Sequence, residues 1–355
     1  MDFTATSEQS MLQDSVRRTL VQLGQRRGPD VRQALADLGV LALPFPEDMG
    51  GLGGSSSDTM LVMQEFGRAL IEDSFLPAAL FSGALLVELG LEPDAVAALA
   101  EGSALTVFAS SEPAGRGDVT FVQSRARRDG DNLVLSGLKS VVLGAAEAST
   151  ILVSVCAEDG TFDGIGIVKL TGGTLPKVRS FKTIDGFDAA DISLNGVTVP
   201  AAALIATNAG PAIERAAETA IIAACAEAVG AMESGFWMTN EYLKTRQQFG
   251  IVIGTLQALQ HRMADHFVDL EQARSMLYRG LGALSSSSGE RARTVSAAKA
   301  YIGKIAKRFG ADMIQLHGGI GVTEEHMIGH YYRRLLAFDA RYGDCNHHLS
   351  RFAGN

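Results

Sequence analysis

Along the chain, apolar residues recur three and four apart for about a hundred positions, then alternate, then return to helical spacing. Leu12, Val16, Leu20 and Leu23 mark a first helix, and Thr6 with Gln9 three residues on supplies its capping box. A second short helix covers about Asp30 to Leu38. LPFPEDMGGLGGSSSD, from Leu43 to Asp58, is a Pro/Gly/Ser loop that neither helix nor strand can hold. Helical spacing resumes with Met60, Met63, Phe66 and Leu70, and again from about Pro77 to Ala100.

Near Leu105 the period changes from 3.6 to 2. ALTVFASS, NLVLSGLKSVVL, STILVSVCAE, DGIGIVKL and DISLNGVTVP are short, β-branched segments bounded by turn residues. Asp129-Gly130-Asp131-Asn132 reads as a hairpin turn. No helix of useful length fits between these strands, so the sheet is expected to be antiparallel, a barrel or a sandwich.

From about Gly210 the chain is helical again. A proline-free run extends from Ala212 to Thr245, and a second helix starts near Thr255 and carries Leu259, Met263, Phe267 and Leu270. SSSSG (Ser285–Gly289) breaks the chain before a third helix to about Leu316. A fourth covers roughly Glu324 to Phe338, and a short tail follows. The pattern predicts an α+β protein with an N-terminal helical domain (1–104), a middle antiparallel β domain (105–207) and a C-terminal antiparallel four-helix bundle (208–355).

At 355 residues the chain is long enough for two or three domains. Its 40 acidic residues against 31 Lys and Arg leave a net charge of −9, which argues against a nucleic-acid partner. No run reads as a membrane span and MDFTATSEQS lacks the features of a signal peptide. Cys156, Cys225 and Cys345 follow no metal or redox spacing and read as reduced thiols of a cytoplasmic protein.

Several candidate chemistries fall away. Gly51-Leu52-Gly53 and Gly319-Ile320-Gly321 lack the third glycine and the strand-to-helix context of a dinucleotide fingerprint. His326 and His330, one turn apart, have the spacing of a metal pair, but no third ligand is placed by spacing, and a solvated helix face competes. No Gly-x-Ser-x-Gly elbow exists. Two polar loops that punctuate the bundle remain. TRQQFGIVIG (Thr245–Gly254) offers an arginine and two amides. QLHGGIGVTEE (Gln315–Glu325) offers an amide, two glycines that let backbone N–H groups approach closely, and Thr323 as a cap for the next helix. Such groups suit a pyrophosphate and a nucleotide.

The order α, β, α, together with PEDMGGLGG, SSEPAGRGD, RQQFGIVIGTLQ and QLHGGIGVTEE, resembles the acyl-CoA dehydrogenase family over essentially the whole chain. LPFPEDMGGLGG, MQEFGRALIEDSFLPA and FDARYGDCNHHLSRFA are similar to the short subunits of its heteromeric members, those acting on pimeloyl-CoA and on steroid side chains. The resemblance implies a flavoenzyme that makes a 2,3-enoyl-CoA from an acyl-CoA and passes electrons to an electron-transfer flavoprotein. It also implies that Arg246, Gln248, Phe249 and Gln257, with Gln315, Gly318 and Gly319, contact FAD held mainly by a neighbouring subunit.

Departures from the family pattern fall on one site. Val141 and Leu143 stand where the family places a flavin-contacting Trp and Ser/Thr, and neither can stack or hydrogen-bond. Gly117 replaces a phosphate-binding serine. Glu218-Thr219-Ala220-Ile221 lacks the arginine of an acidic-x-x-Arg. Tyr342, in Tyr342-Gly343-Asp344, occupies the usual place of the glutamate base, and a phenol of pKa near 10 is a poor base for an α-proton. Asp344 and Glu218 each sit two residues from an expected base position. The pattern is that of a small subunit completing the site of a larger partner. A self-sufficient homo-oligomer with an unusual base, or a non-catalytic scaffold on the same fold, are the alternatives.

Overall fold

The computed structural model describes residues 5–24, 29–248 and 250–354, so Phe249 lies outside the described residues. Two compact units make up the chain. One gathers the N-terminal residues to Gln25, Ser57–Ile71 and Ile221–Asn355. The other holds Arg26–Ser56 and Glu72–Ala220.

In the first unit, helix α1 (Ser7–Leu23) opens with the expected capping box. Thr6 Oγ1 accepts from the Gln9 N–H at 3.2 Å, and the Thr6 N–H donates to Gln9 Oε1 at 3.1 Å. Helix α3 (Ser56–Ala69) crosses α6 (Gly210–Thr245) at unusually short range. A Cβ on Gly67 would lie 1.8 Å from the Glu227 carbonyl oxygen, and one on Gly230 would lie 2.0 Å from that of Gln64. Two glycines, one on each helix, therefore permit the contact.

A chain of charges runs beside this crossing. Glu65, 1% exposed, accepts from Gln13 at 2.8 Å and from Arg17 at 2.9 and 3.0 Å, and also pairs with Arg68. Arg68 reaches on to Glu233, which Arg274 meets from α7 (Gln257–Ala283) at 2.8 Å. Glu227 is shared by Arg334 and Arg341, the latter at 3.1 Å. The buried carboxylates Glu65 and Glu227 are thus paired, which is what keeps their charge tolerable.

The bundle continues with α8 (Ser288–His317), α9 (Met327–Ala340) and α10 (Cys345–Ala353). Instead of a short tail, α10 is a helix capped by Asp344. The cap of α9 is His326, whose Nδ1 accepts from the Ile328 N–H at 3.2 Å, while Thr323 Oγ1 bonds the Ile320 carbonyl. No run reads from sequence as long enough for a membrane span, but helix α6 passes that test by length and composition, with a mean hydropathy of 1.2. Yet 83% of the relevant window is buried within the protein, so its alanine-rich surface meets other side chains.

The second unit begins with α2 (Pro29–Asp37). A π-helical stretch (Phe75–Gly83) runs into α4 (Ala84–Leu89), and α5 (Pro93–Glu101) follows a break. Ser82 donates to the Pro77 carbonyl at 2.7 Å and accepts from the Phe108 N–H at 2.8 Å, tying the widened turn to the first strand. That strand is β1 (Thr106–Ala109). It is followed by β2 (Arg125–Asp129), β3 (Asn132–Ser136), β4 (Leu138–Leu143), β5 (Thr150–Ala157), β6 (Ile165–Lys169), β7 (Lys177–Lys182), β8 (Asp188–Ser193), β9 (Val197–Pro200) and β10 (Leu204–Ala206).

One sheet has the order β10-β6-β5-β2-β3-β9 with β1 on β5, and the other is β4-β8-β7. Val107, Leu133, Leu135, Val153 and Val155 of the first sheet and Ile192 of the second belong to one buried core. The pairing is antiparallel except for β1 and β2, which each run parallel to β5. Parallel neighbours need a long crossover, and the strands between β1 and β5 provide one. Strands β2 and β7 carry too few apolar positions to be seen in the alternation. They are mostly exposed and are held by their ladders to β3 and β8.

Candidate functional site

The last turn of α6 delivers Arg246, whose N–H still donates to the Tyr242 carbonyl at 2.8 Å. The chain then forms a tight hairpin, with β11 (Gln247–Gln248) against β12 (Ile251–Val252). Gly250 turns it at φ +78°, and the Ile253 N–H closes it on the Arg246 carbonyl at 2.9 Å. Arg246, Gln248 and Gln257, the first residue of α7, are all exposed. At the end of α8, Gly318 takes φ +66° and caps the helix. Gln315, Gly318 and Gly319 are exposed, and a Cβ on either glycine would meet nothing within 4 Å. The two loops are joined by Tyr242 Oη, which donates to the His317 carbonyl at 3.2 Å. Far apart in sequence, they present an arginine, amides and uncovered backbone at one end of the bundle.

In the second unit, β4 carries the positions expected to face a flavin ring. Its ladder to β8 shifts register between Lys139 and Val142. Val141 sits there at φ +52°, with its N–H on Asp191 Oδ1 at 3.1 Å and its side chain 49% exposed. A β-branched residue in the left-handed region is strained. Beneath the strand, Lys139 Nζ, fully buried, donates to Glu112 Oε1 at 2.7 Å and to Ser154 Oγ at 2.8 Å. Glu112 also accepts from the Gln123 and Ser124 N–H groups at 2.7 and 3.0 Å. Burial opposes its charge, but these donors outweigh it and hold the carboxyl below its ordinary range. Gly117 stands at φ +91°, which a serine would adopt only under strain. The strand rests on a buried, hydrogen-bonded lysine, while Val141 and Leu143 on it are aliphatic.

The turn at Tyr342-Gly343-Asp344, expected from the resemblance to be the base position, is held from beneath. Lys299 Nζ, fully buried on α8, donates to the carbonyls of Phe338, Asp339 and Gly343 at 2.9, 2.9 and 3.0 Å. Burial pulls this amine down to about 8, so at neutral pH it stays protonated and able to make all three bonds. His348 Nε2 donates to the Tyr342 carbonyl at 2.9 Å. Tyr342 takes φ +56°, and burial pushes its phenol above its ordinary value. Asp344 Oδ1 accepts from the His347 N–H at 2.8 Å as the cap of α10. Glu218, 2% exposed on α6, falls in the other compact unit.

Residues 6–92 match the acyl-CoA dehydrogenase N-terminal domain, and residues 211–353 match the acyl-CoA dehydrogenase C-terminal domain. The acyl-CoA dehydrogenase IpdE2 of Mycobacterium tuberculosis is 30% identical over 297 residues, covering 84% of this chain and 77% of that protein. The chain belongs to the acyl-CoA dehydrogenase family. Two solved structures share its fold. The Tcur3481-Tcur3483 steroid ACAD variant matches with a TM-score of 0.87 and 25% identity over 99% of this chain and 98% of that one. The ChsE4-ChsE5 complex of M. tuberculosis matches with a TM-score of 0.87 and 22% identity over 100% and 98%. Members of this family bind FAD.

Three features, each within one of the two units, were not read from sequence. Lys299 sits in the apolar stripe Val295, Lys299, Ile302 and Ala306, where a lone lysine is itself a signal of an internal partner. Tyr242 and His317 each border a polar loop, but nothing local says that they meet. Asp73 is the third, in a cleft of about 170 Å³ lined also by Arg32, Ser74, Gly144 and Glu147. Asp73 Oδ1 accepts from the Phe75 N–H at 2.8 Å, while Oδ2 is buried with no hydrogen-bond partner among the described residues.

Burial raises the Asp73 carboxyl to about 6. The folded state therefore binds a proton that the unfolded state has released between about pH 4 and 6. Stability from this group is fully present below that window and lost as pH rises through it. The loss is roughly 3 kcal/mol. Asp73→Asn is expected to match the parent near pH 4 and to exceed it near pH 7 in urea unfolding; equal pH profiles would refute this.

Proposed function

We propose that this chain is the small subunit of a heteromeric, FAD-dependent acyl-CoA dehydrogenase, and that its bundle completes a flavin site held mainly by a larger homologous subunit. The observation that carries the reading is an asymmetry. Arg246, Gln248, Gln315 and the open backbone at Gly318 and Gly319 are exposed at one end of the bundle and fit a pyrophosphate-bearing cofactor. Val141 and Leu143 on this chain's own β domain do not fit a flavin ring. The usual base position is taken by a phenol that burial holds in its neutral, protonated form and a carboxylate engaged as a helix cap.

In this reading Arg246 meets a phosphate oxygen, the glutamines hydrogen-bond the nucleotide, and the glycines let backbone N–H groups approach it. Bound FAD would supply the hydride acceptor for α,β-dehydrogenation of an acyl-CoA thioester to the 2,3-enoyl-CoA. The proton-abstracting carboxylate comes from the partner, and an electron-transfer flavoprotein takes up the electrons. A solved relative described as the ChsE4-ChsE5 complex supports a two-protein arrangement. The free thiols of Cys156, Cys225 and Cys345 fit a reducing, cytoplasmic setting.

The test is flavin absorbance of the chain purified alone and co-expressed with a larger homologue. The chain alone is expected to be colourless, and the pair to hold one FAD per heterodimer. Arg246→Ala is expected to weaken FAD binding by the pair about 10- to 100-fold, the loss of a charge-assisted bond. One flavin per protomer from the chain alone, bleached by acyl-CoA, would overturn the reading and turn attention to Asp344 and Glu218 as bases.

A further inference from the structure

Three helix ends meet at three rings. Tyr242 lies on the last turn of α6, His317 ends α8, and His326 caps α9. The Tyr242 and His317 rings stack at 4.5 Å with 24° between their planes, and His317 leans on His326 at 4.6 Å. Tyr242 Oη donates to the His317 carbonyl, one of the acceptors a helix leaves unsatisfied at its C-terminus. His317 is 3% exposed. Its Nδ1 lies 2.9 Å from the Met313 carbonyl and must carry the proton, which leaves Nε2 as a bare acceptor. That Nε2 is buried with no partner among the described residues.

An apolar ring in the same space would fill it without desolvating a nitrogen, so this cluster carries a local stability cost. Costs of this kind concentrate where geometry matters for function. Arg246 follows Tyr242 by one turn and is bonded to its carbonyl. Gln315 and Gly318 flank His317. The stack therefore sets the spacing between the two polar loops directly, through one ring contact and one hydrogen bond.

We propose that Tyr242, His317 and His326 form a positioning clasp that holds the Arg246–Gln248 hairpin and the Gln315–Gly319 turn at the separation needed for both to reach one FAD. The proposal rests on the shared-flavin reading above. The clasp touches no cofactor itself; it acts through the residues it spaces. Losing the hydroxyl loosens the end of α8 but keeps the ring contact, whereas losing the ring frees both loops.

The experiment uses the co-expressed complex, stripped of flavin and titrated with FAD by fluorescence, with the melting temperature of the flavin-free complex measured in parallel. Tyr242→Phe is expected to weaken FAD about threefold to tenfold, the size of one hydrogen bond, with the flavin-free melting temperature almost unmoved. Tyr242→Ala is expected to weaken it about 10- to 100-fold, and Phe at the same position to restore most of that loss, since the stack returns. If Arg246→Ala weakens FAD but Tyr242→Ala binds it as the parent does, the clasp is wrong and the shared site stands. If neither substitution matters, the shared site fails and the clasp with it. Should Tyr242→Phe lower melting temperature or subunit assembly in step with FAD binding, the cluster is structural and the proposal is overturned.

Discussion

Replacing Gly230 with alanine is expected to destabilise the helical unit by at least about 3 kcal/mol, measured as a fall in the urea midpoint at unchanged slope. The new Cβ would sit 2.0 Å from the Gln64 carbonyl oxygen, 2.9 Å from its carbonyl carbon and 3.0 Å from its Cα. Backbone cannot swing aside as a flexible side chain can, so the helices must separate. Separation opens the packing around side chains that both helices bury, among them Met63 and Phe66 on α3, at 1% and 3% exposure, and Val229 and Met232 on α6, both fully buried. It also stretches the pairing of Arg68 with Glu233. Gly67→Ala meets the Glu227 carbonyl at 1.8 Å and should cost a similar amount. Because both report on one crossing, the double variant is expected to cost less than the sum. An alanine at Gly230 that left the midpoint unchanged would mean that α3 and α6 do not cross at these glycines.

Lys299→Met is the second large effect, expected to cost roughly 3–5 kcal/mol. Methionine fits the volume and restores an apolar stripe, so a sequence-level argument would have it stabilise the protein. The structure reverses that sign. Three carbonyls, of Phe338, Asp339 and Gly343, lose their common donor, and only that of Phe338 keeps another, the Arg341 N–H at 3.2 Å, among the backbone bonds of the described residues. The ammonium's contact with the Phe338 ring, 4.3 Å to the centroid, goes as well. With the turn released, Tyr342 and Gly343 have less to hold them at positive φ, so hydrogen exchange across 338–348 is expected to accelerate beyond the global change. A methionine variant as stable as the parent would show that Lys299 is not the clamp of this turn.

The candidate site was legible where chemistry is written in local sequence. Arg246, Gln248, Gln257, Gln315, Gly318 and Gly319 stand out because polar and glycine-rich stretches interrupt long apolar periods, and the structure leaves each of them exposed. Less legible were residues that act through distant partners. Tyr242 and His317 look like ordinary helix-end residues until their rings are seen at 4.5 Å. Thr323 is a better cap by composition than His326, yet the chain folds so that His326 takes the role. Strands β2 and β7 were hidden for a related reason: a mostly polar, exposed strand is fixed by hydrogen bonds to its neighbours, which leave no alternation behind.

By itself the sequence determined the order of helical and strand regions, the capping box on α1, the hairpin at Asp129–Asn132, the family, and the aliphatic character of Val141 and Leu143. Those follow from period, turn chemistry and residue type, which are local properties. Only the tertiary structure decided that α3 and α6 touch through two glycines, that Lys299 caps a turn forty residues away, and that two loops share one stacked pair of rings. Such choices depend on which surfaces meet, and a glycine, a lysine or a tyrosine has the same local preferences whether its partner is solvent or a carbonyl from a distant part of the chain.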